Sequence, residues 1–176
     1  MERVSQLSRT QLVARPLDHV FAFFSDASNL EALTPPFLHF RIRTPMPVEM
    51  RIGARLDYEL SLFGVPVHWR TRITDWQPGR RFIDEQESGP YALWRHTHEF
   101  EARGSSTLVR DVVDYSEPLG PLGTIAHVLL VRRTLDRVFD FRRDAIGRLL
   151  EHPGLPWGEL LLDVGAQWEL PGGRGA

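Results

Sequence analysis

The stretch from Arg55 to Tyr115 constrains the fold most, because it reads as a run of hairpins whose registers can be tested against one another. Leu56, Tyr58, Leu60 and Leu62 alternate with Arg55, Asp57, Glu59 and Ser61, the period-two pattern of a strand with one buried face. Taking Phe63-Gly64 as a two-residue turn sets Leu62 against Val65, Leu60 against Val67 and Tyr58 against Trp69 on one side. The other side then pairs Asp57 with Arg70 and Glu59 with His68. A four-residue turn at Gln77-Pro78-Gly79-Arg80 predicts Trp76 beside Arg81 and Arg72 opposite Glu85 on the outer face, with Ile73 meeting Asp84 inside. A turn at Gly104-Ser105 puts Arg95 opposite Asp114, Glu99 opposite Arg110 and His98 opposite Asp111. Oppositely charged outward pairs recur in all three hairpins, as cross-strand placement favours.

The flanks of this meander carry the helices. Val4 to Ala14 reads as a strand, and Val20-Phe21-Ala22-Phe23-Phe24 after Pro16 is an apolar run of helical length. Ser28 and Glu31 have capping-box spacing, which predicts a second short helix beginning there and stopping before Pro35-Pro36. From Leu122 to Glu151 no proline intervenes. Ile125, Val128, Leu129, Leu135, Val138, Phe139, Ile146 and Leu149 recur at three and four, which predicts one long amphipathic helix. Residues 1–152 are expected to form one domain. Pro153, Gly154, Pro156 and Gly158 then break the helix, so residues 153–176 are expected to be an appended arm, with Trp157 and Trp168 packing back and a mobile tail from Pro171.

Bulk properties remove several classes of function. With 176 residues and 42% hydrophobic content, one core is the expectation. A net charge of -2 with mixed signs offers no basic field for nucleic acid. The absence of cysteine excludes disulfides, thiolate metal sites and cysteine nucleophiles. No apolar run reaches the ~18 residues of a membrane span, and the first residues lack an apolar signal segment, so no integral membrane association and a cytoplasmic location are expected.

Strand, two short helices, a six-stranded antiparallel run and a closing helix resemble the helix-grip architecture of the SRPBCC superfamily, over roughly residues 3–150. Val20-Phe21-Ala22-Phe23-Phe24, Leu33-Thr34-Pro35-Pro36, Gly89-Pro90-Tyr91, Trp94-Arg95-His96-Thr97-His98-Glu99-Phe100 and Asp111-Val112-Val113-Asp114-Tyr115 are similar to segments of its bacterial ligand-binding members. The resemblance implies an α+β fold in which a curved antiparallel sheet of about six to seven strands wraps a long C-terminal helix. It also implies an internal cavity. The superfamily includes START lipid-binding domains, pollen-allergen-like proteins and polyketide cyclase/dehydrase proteins.

The inner face of the meander mixes aromatic and polar side chains. Tyr58, Trp69, Phe82, Trp94 and Tyr115 are the candidate walls of a ligand site, with Asp84, Gln86, His96, His98 and Asp111 as polar anchors. Unpartnered polar groups facing an apolar helix would each cost about 1–3 kcal/mol, which argues for a hollow interior. For His98 and Asp111 two readings stand side by side. Either Asp111 holds one ring nitrogen and the other faces the ligand as a general base, or two buried groups simply satisfy each other. His96 and His98 form a His-x-His pair that Asp84 could approach, but they secure no complete ligand set, so neither a metal nor another cofactor is expected. The leading expectation is non-covalent binding of a small hydrophobic molecule: a lipid, an isoprenoid or a polyketide-like compound. The alternative is a polyketide aromatase/cyclase or dehydratase, with His98, Asp111 and His96 as candidate catalytic residues. The apolar stretch from Ile125 to Val131, with His127 inside it, reads as packing under the Pro35-Pro36 loop, a portal, a lipid-facing lip or the seam of a homodimer.

Overall fold

The computed structural model describes residues 4–116 and 125–151; for residues 125–129 and 151 it describes the backbone only. Seven strands form one antiparallel sheet: β1 (Ser5–Val13), β2 (Arg41–Ile42), β3 (Arg55–Leu62), β4 (Val65–Gln77), β5 (Arg81–Ser88), β6 (Leu93–Arg103) and β7 (Ser106–Ser116). Their spatial order is β1-β7-β6-β5-β4-β3-β2. Helix α1 (Leu17–Ser25) and two short 3-10 turns, Ala27–Leu30 and Pro36–Leu38, link β1 to β2, and helix α2 (Ile125–Glu151) follows the sheet. This is the helix-grip α+β arrangement. Among the described residues no helix is long and apolar enough to cross a membrane.

The two-residue hairpins have the registers that their turns predict. Phe63 and Gly64 both take positive φ, 53° and 80°, as a type I' turn demands, and Tyr58 pairs with Trp69, Asp57 with Arg70 and Glu59 with His68. Arg103 pairs with Ser106, which carries His98 opposite Asp111 and Glu99 opposite Arg110. On the outer face Asp57 accepts a forked pair of bonds from Arg70 at 2.7 and 3.2 Å, and Glu87 accepts another from Arg55 at 2.7 and 3.1 Å. Exposed pairs of this kind contribute roughly 0.2–1 kcal/mol each, so they fix register more than they hold the fold.

The β4–β5 hairpin departs from expectation. Its loop has three residues, because Gln77 itself pairs with Arg81, and Trp76 therefore opposes Phe82 rather than Arg81. Thr74 is an extra residue in β4, a bulge that restores the expected Ile73–Asp84 and Arg72–Glu85 pairs. The bulge turns both Ile73 and Trp76 toward the interior. Trp76 packs against Phe21 and Phe82 with ring centroids 5.4 and 5.5 Å away.

The helical loop is also capped differently from the Ser28–Glu31 expectation. Asp26 takes the Ser28 amide at 2.9 Å and the Ser28 hydroxyl at 2.7 Å, so the cap lies two residues earlier than Ser28 and the turn starts at Ala27. A carboxylate two residues upstream takes the Ser28 amide that Glu31 would have accepted from in a capping box. Glu31 instead accepts from the Ile42 amide at 3.2 Å and so ties this loop to β2.

α2 lies along the sheet, and its apolar stripe divides the core in two. Phe141, Ala145 and Ile146 pack with Val13, Val20, Phe24, Ile73, Phe82, Phe100 and Val109. Val131, Leu135 and Phe139 pack with Leu7, Val113 and Tyr115. The expected helical residues 122–124 and the arm and tail at 153–176 lie outside the described residues. So do the side chains of the Ile125–Leu129 part of the apolar patch, His127 included; of the remainder, Leu130 is exposed and Val131 is buried.

Candidate functional site

Between sheet, α2 and the α1–β2 loop lies a cavity of about 180 Å³. An aromatic wall forms one part of it. Trp69 stacks on Tyr58 at 5.9 Å, meets Trp94 edge-on at 5.2 Å and touches Tyr91 at 5.5 Å. The sheet pleat brings Tyr58, Trp69, Phe82, Asp84, Trp94, His96 and His98 to the lining, as expected from their common face.

Three expected lining residues stand elsewhere. Gln86 is engaged by the loop that follows β5: its amide nitrogen donates to the Tyr91 carbonyl at 2.7 Å and its oxygen accepts from the Tyr91 amide at 3.3 Å. Tyr115 is buried in the second core cluster. Asp111 lies behind the histidines and contacts them without lining the cavity.

The polar part of the site is a four-residue cluster rather than the expected dyad. His98 Nε2 is hydrogen-bonded to Asp84 Oδ2 at 3.1 Å, and His96 Nε2 to Asp111 Oδ1 at 3.0 Å. His98 Nδ1 also lies 2.8 Å from Asp111 Oδ1, close enough for strong attraction but off the direction of a hydrogen bond. Thr71 Oγ1 is 3.2 Å from Asp84 Oδ1. The expectation that one His98 nitrogen faces the ligand therefore fails, because carboxylates meet both. His96 is the ring with a nitrogen to offer: its Nδ1 lies 3.8 Å from Asp84 Oδ2 and makes no hydrogen bond among the described residues.

Burial and charge act in opposite directions here. Burial alone would raise Asp111, but the hydrogen bond to His96, the close approach of the His98 ring and the charge of Arg142 hold it well below the usual carboxylate range. Asp84 is likewise lowered against its burial, chiefly by the His98 hydrogen bond and the two imidazoles. Burial would lower His98, yet Asp111 and Asp84 together raise it; burial and the neighbouring His98 charge lower His96. Two carboxylates thus face two imidazole rings, with the Arg142 guanidinium nearby.

Sequence reasoning missed Arg142, Thr71, Phe24 and the α2 residues Val138 and Phe139, all of which line the cavity. For Arg142 a signal was present, since it falls three residues after Phe139, on the apolar stripe of an otherwise amphipathic helix. Its guanidinium carbon sits 5.5 Å over the Phe24 ring, and its Nε is buried with no hydrogen-bond partner among the described residues. Trp69 Nε1 is buried and unpartnered in the same way.

The fold occurs in proteins of several descriptions. The Zhui aromatase/cyclase from Streptomyces sp. R1128 superposes with a TM-score of 0.67 at 17% identity, over 86% of this chain and 99% of that one. A START superfamily protein from Mycobacterium smegmatis does so with a TM-score of 0.59 at 15% identity, over 82% and 98%. A nucleoside-diphosphate sugar epimerase from Corynebacterium glutamicum reaches 0.62 at 23% identity, with 82% of this chain covering only 29% of that one. No curated protein matches the sequence. Residues 13–141 match the family described as polyketide cyclase / dehydrase and lipid transport, and with most of the chain inside that match, this protein belongs to that family of the SRPBCC superfamily.

Proposed function

We propose that the protein binds one small, largely apolar molecule carrying acceptor oxygens, held non-covalently in the cavity between the sheet and α2. The observation that carries this reading is the pair of buried, unpartnered donors in the cavity lining, Trp69 Nε1 and Arg142 Nε. Each donor left without an acceptor costs about 1–3 kcal/mol, and a bound carbonyl, ether or phenol oxygen would recover that. Aromatic walls supply the apolar contact. A cavity of about 180 Å³ suits a one- or two-ring molecule, and a longer one would have to part the α1–β2 loop from α2.

Native mass spectrometry of the protein as purified tests for a retained small molecule. A matched pair tests the chemistry: acetophenone should bind about tenfold more tightly than ethylbenzene, which has nearly its shape and no oxygen, and Trp69→Phe with Arg142→Met should erase the preference. Equal affinity of the wild type for the pair would refute the reading.

A second reading, catalysis of the cyclase or dehydratase type, is favoured by His96, which lines the cavity and whose Nδ1 makes no hydrogen bond among the described residues, rather than by His98. There His96 takes a proton from the bound molecule while Asp111 holds its Nε2. His96→Gln should then reduce turnover by roughly 100-fold with binding retained.

A further inference from the structure

We propose that Asp84, His96 and His98 form a binding site for one divalent transition cation on the cavity wall, with Asp111 behind them fixing both imidazole rings. The sequence secures only the His-x-His pair. The sheet register supplies the rest: His96 and His98 share a face of β6, and β5 places Asp84 directly opposite His96. One oxygen, Asp84 Oδ2, lies 3.1 Å from His98 Nε2 and 3.8 Å from His96 Nδ1, and the three ligating atoms lie within 4.8 Å of one another. Metal bonds of about 2.0–2.1 Å separate neighbouring ligand atoms by roughly 2.9–3.4 Å, so the Asp84–His98 pair is already at ligand spacing at 3.1 Å, while the His96 ring, 3.8 Å from the same oxygen, has to turn in toward both.

The other side of each ring carries the second observation. His96 Nε2 and His98 Nδ1, the nitrogens that would not ligate, both face Asp111 Oδ1, at 3.0 and 2.8 Å. A carboxylate that holds the remote nitrogens of two imidazoles is the usual support of a histidine metal site, since it fixes ring orientation and sharpens the basicity of the ligating nitrogen. The position relative to the cavity agrees. Asp84, His96 and His98 line it and Asp111 does not, so coordination positions left open by the protein would point into the cavity. Two imidazoles and one carboxylate suit zinc, iron(II), cobalt or nickel and disfavour magnesium and calcium, which prefer all-oxygen sets. The site does not depend on the identity of any molecule in the cavity, and its test uses the cation alone.

The experiment is to strip the full chain with a chelator, titrate it with cobalt(II) chloride, and follow bound metal by elemental analysis and the visible spectrum. One cobalt per chain with the intense visible bands of a low-coordinate ion is expected. Asp84→Asn and His96→Gln should each weaken binding by about 100-fold or more, and Asp111→Asn by about 10- to 100-fold with stoichiometry kept. Should a variant fail to fold, the wild type still decides, because the His96 and His98 ring protons must show large paramagnetic shifts in the cobalt protein. Absence of saturable binding to the wild type, binding unchanged in both ligand variants, or paramagnetic shifts confined to other histidines would overturn the proposal. Failure here leaves the acetophenone preference unaffected, and failure of that preference leaves the cobalt titration unaffected.

Discussion

His96 is hydrogen-bonded to Asp111 across a diagonal of the sheet, although its direct partner on β7 is Val113. His98 does the same in the opposite direction, bonding Asp84 although its direct partner on β5 is Phe82. Diagonal neighbours in an antiparallel pair lie within reach of long side chains. The outcome is a closed cluster spanning three strands, β5, β6 and β7, in which no member can be removed without stranding another.

That closure predicts a large stability effect. Asp111→Asn removes the carboxylate that faces two rings and leaves His98 with Asp84 alone, in a site where both histidines are buried. Breaking a buried ionic group in this way costs ~3–5 kcal/mol. Urea unfolding of the metal-free variant measures it, and a loss under ~1 kcal/mol would mean that the cluster is not a unit.

The core should respond in proportion to burial. Phe141 is fully buried among Val13, Val20 and Phe24, so Phe141→Ala should cost ~3–5 kcal/mol. Leu130, on the same helix, is 47% exposed, and Leu130→Ala should stay within about 0.5 kcal/mol. Thermal denaturation of the two variants side by side checks the contrast.

Gly89 links a backbone position to the cavity wall. A Cβ there would stand 2.3 Å from Gln86 Oε1, the atom that holds the Tyr91 amide. Gly89→Ala should therefore push Gln86 off the loop and let Tyr91 leave its contacts with Trp69 and Trp94. A change in intrinsic tryptophan fluorescence and weaker binding of acetophenone are expected, with global stability reduced by only ~1 kcal/mol. Gln86→Ala should reproduce the fluorescence change.

Much of this arrangement could be read from the residues, and what could not has a physical reason in each case. Two-residue loops such as Phe63-Gly64 leave little freedom in strand register, so Tyr58–Trp69 and His98–Asp111 followed directly. The Gln77–Arg80 loop did not, because loop length and the Thr74 bulge compensate each other and only their sum appears in the sequence. The choice between Asp84 and Asp111 as the hydrogen-bonding partner of each histidine depends on sheet twist, which has no signature in residue spacing. Arg142 could have been found from its place on the apolar stripe of α2, whereas the cap of the first 3-10 turn was misassigned because Ser28 sits two residues after a stronger acceptor, Asp26.

The adjacency of β1 and β7 has a consequence for how the chain comes to be folded. The ladder runs from Ser5 beside Tyr115 to Val13 beside Thr107, so β1, made before the other six strands of this sheet, has no lateral partner until nearly a hundred further residues have followed it. The β3–β7 meander can zip up hairpin by hairpin while β1 waits. Contacts of such long sequence separation carry the largest loop-closure entropy and retard folding. β1 is therefore the strand a chaperone or a neighbouring nascent chain would meet unpaired, and its docking onto β7 is the step at which synthesis rate and misassembly compete.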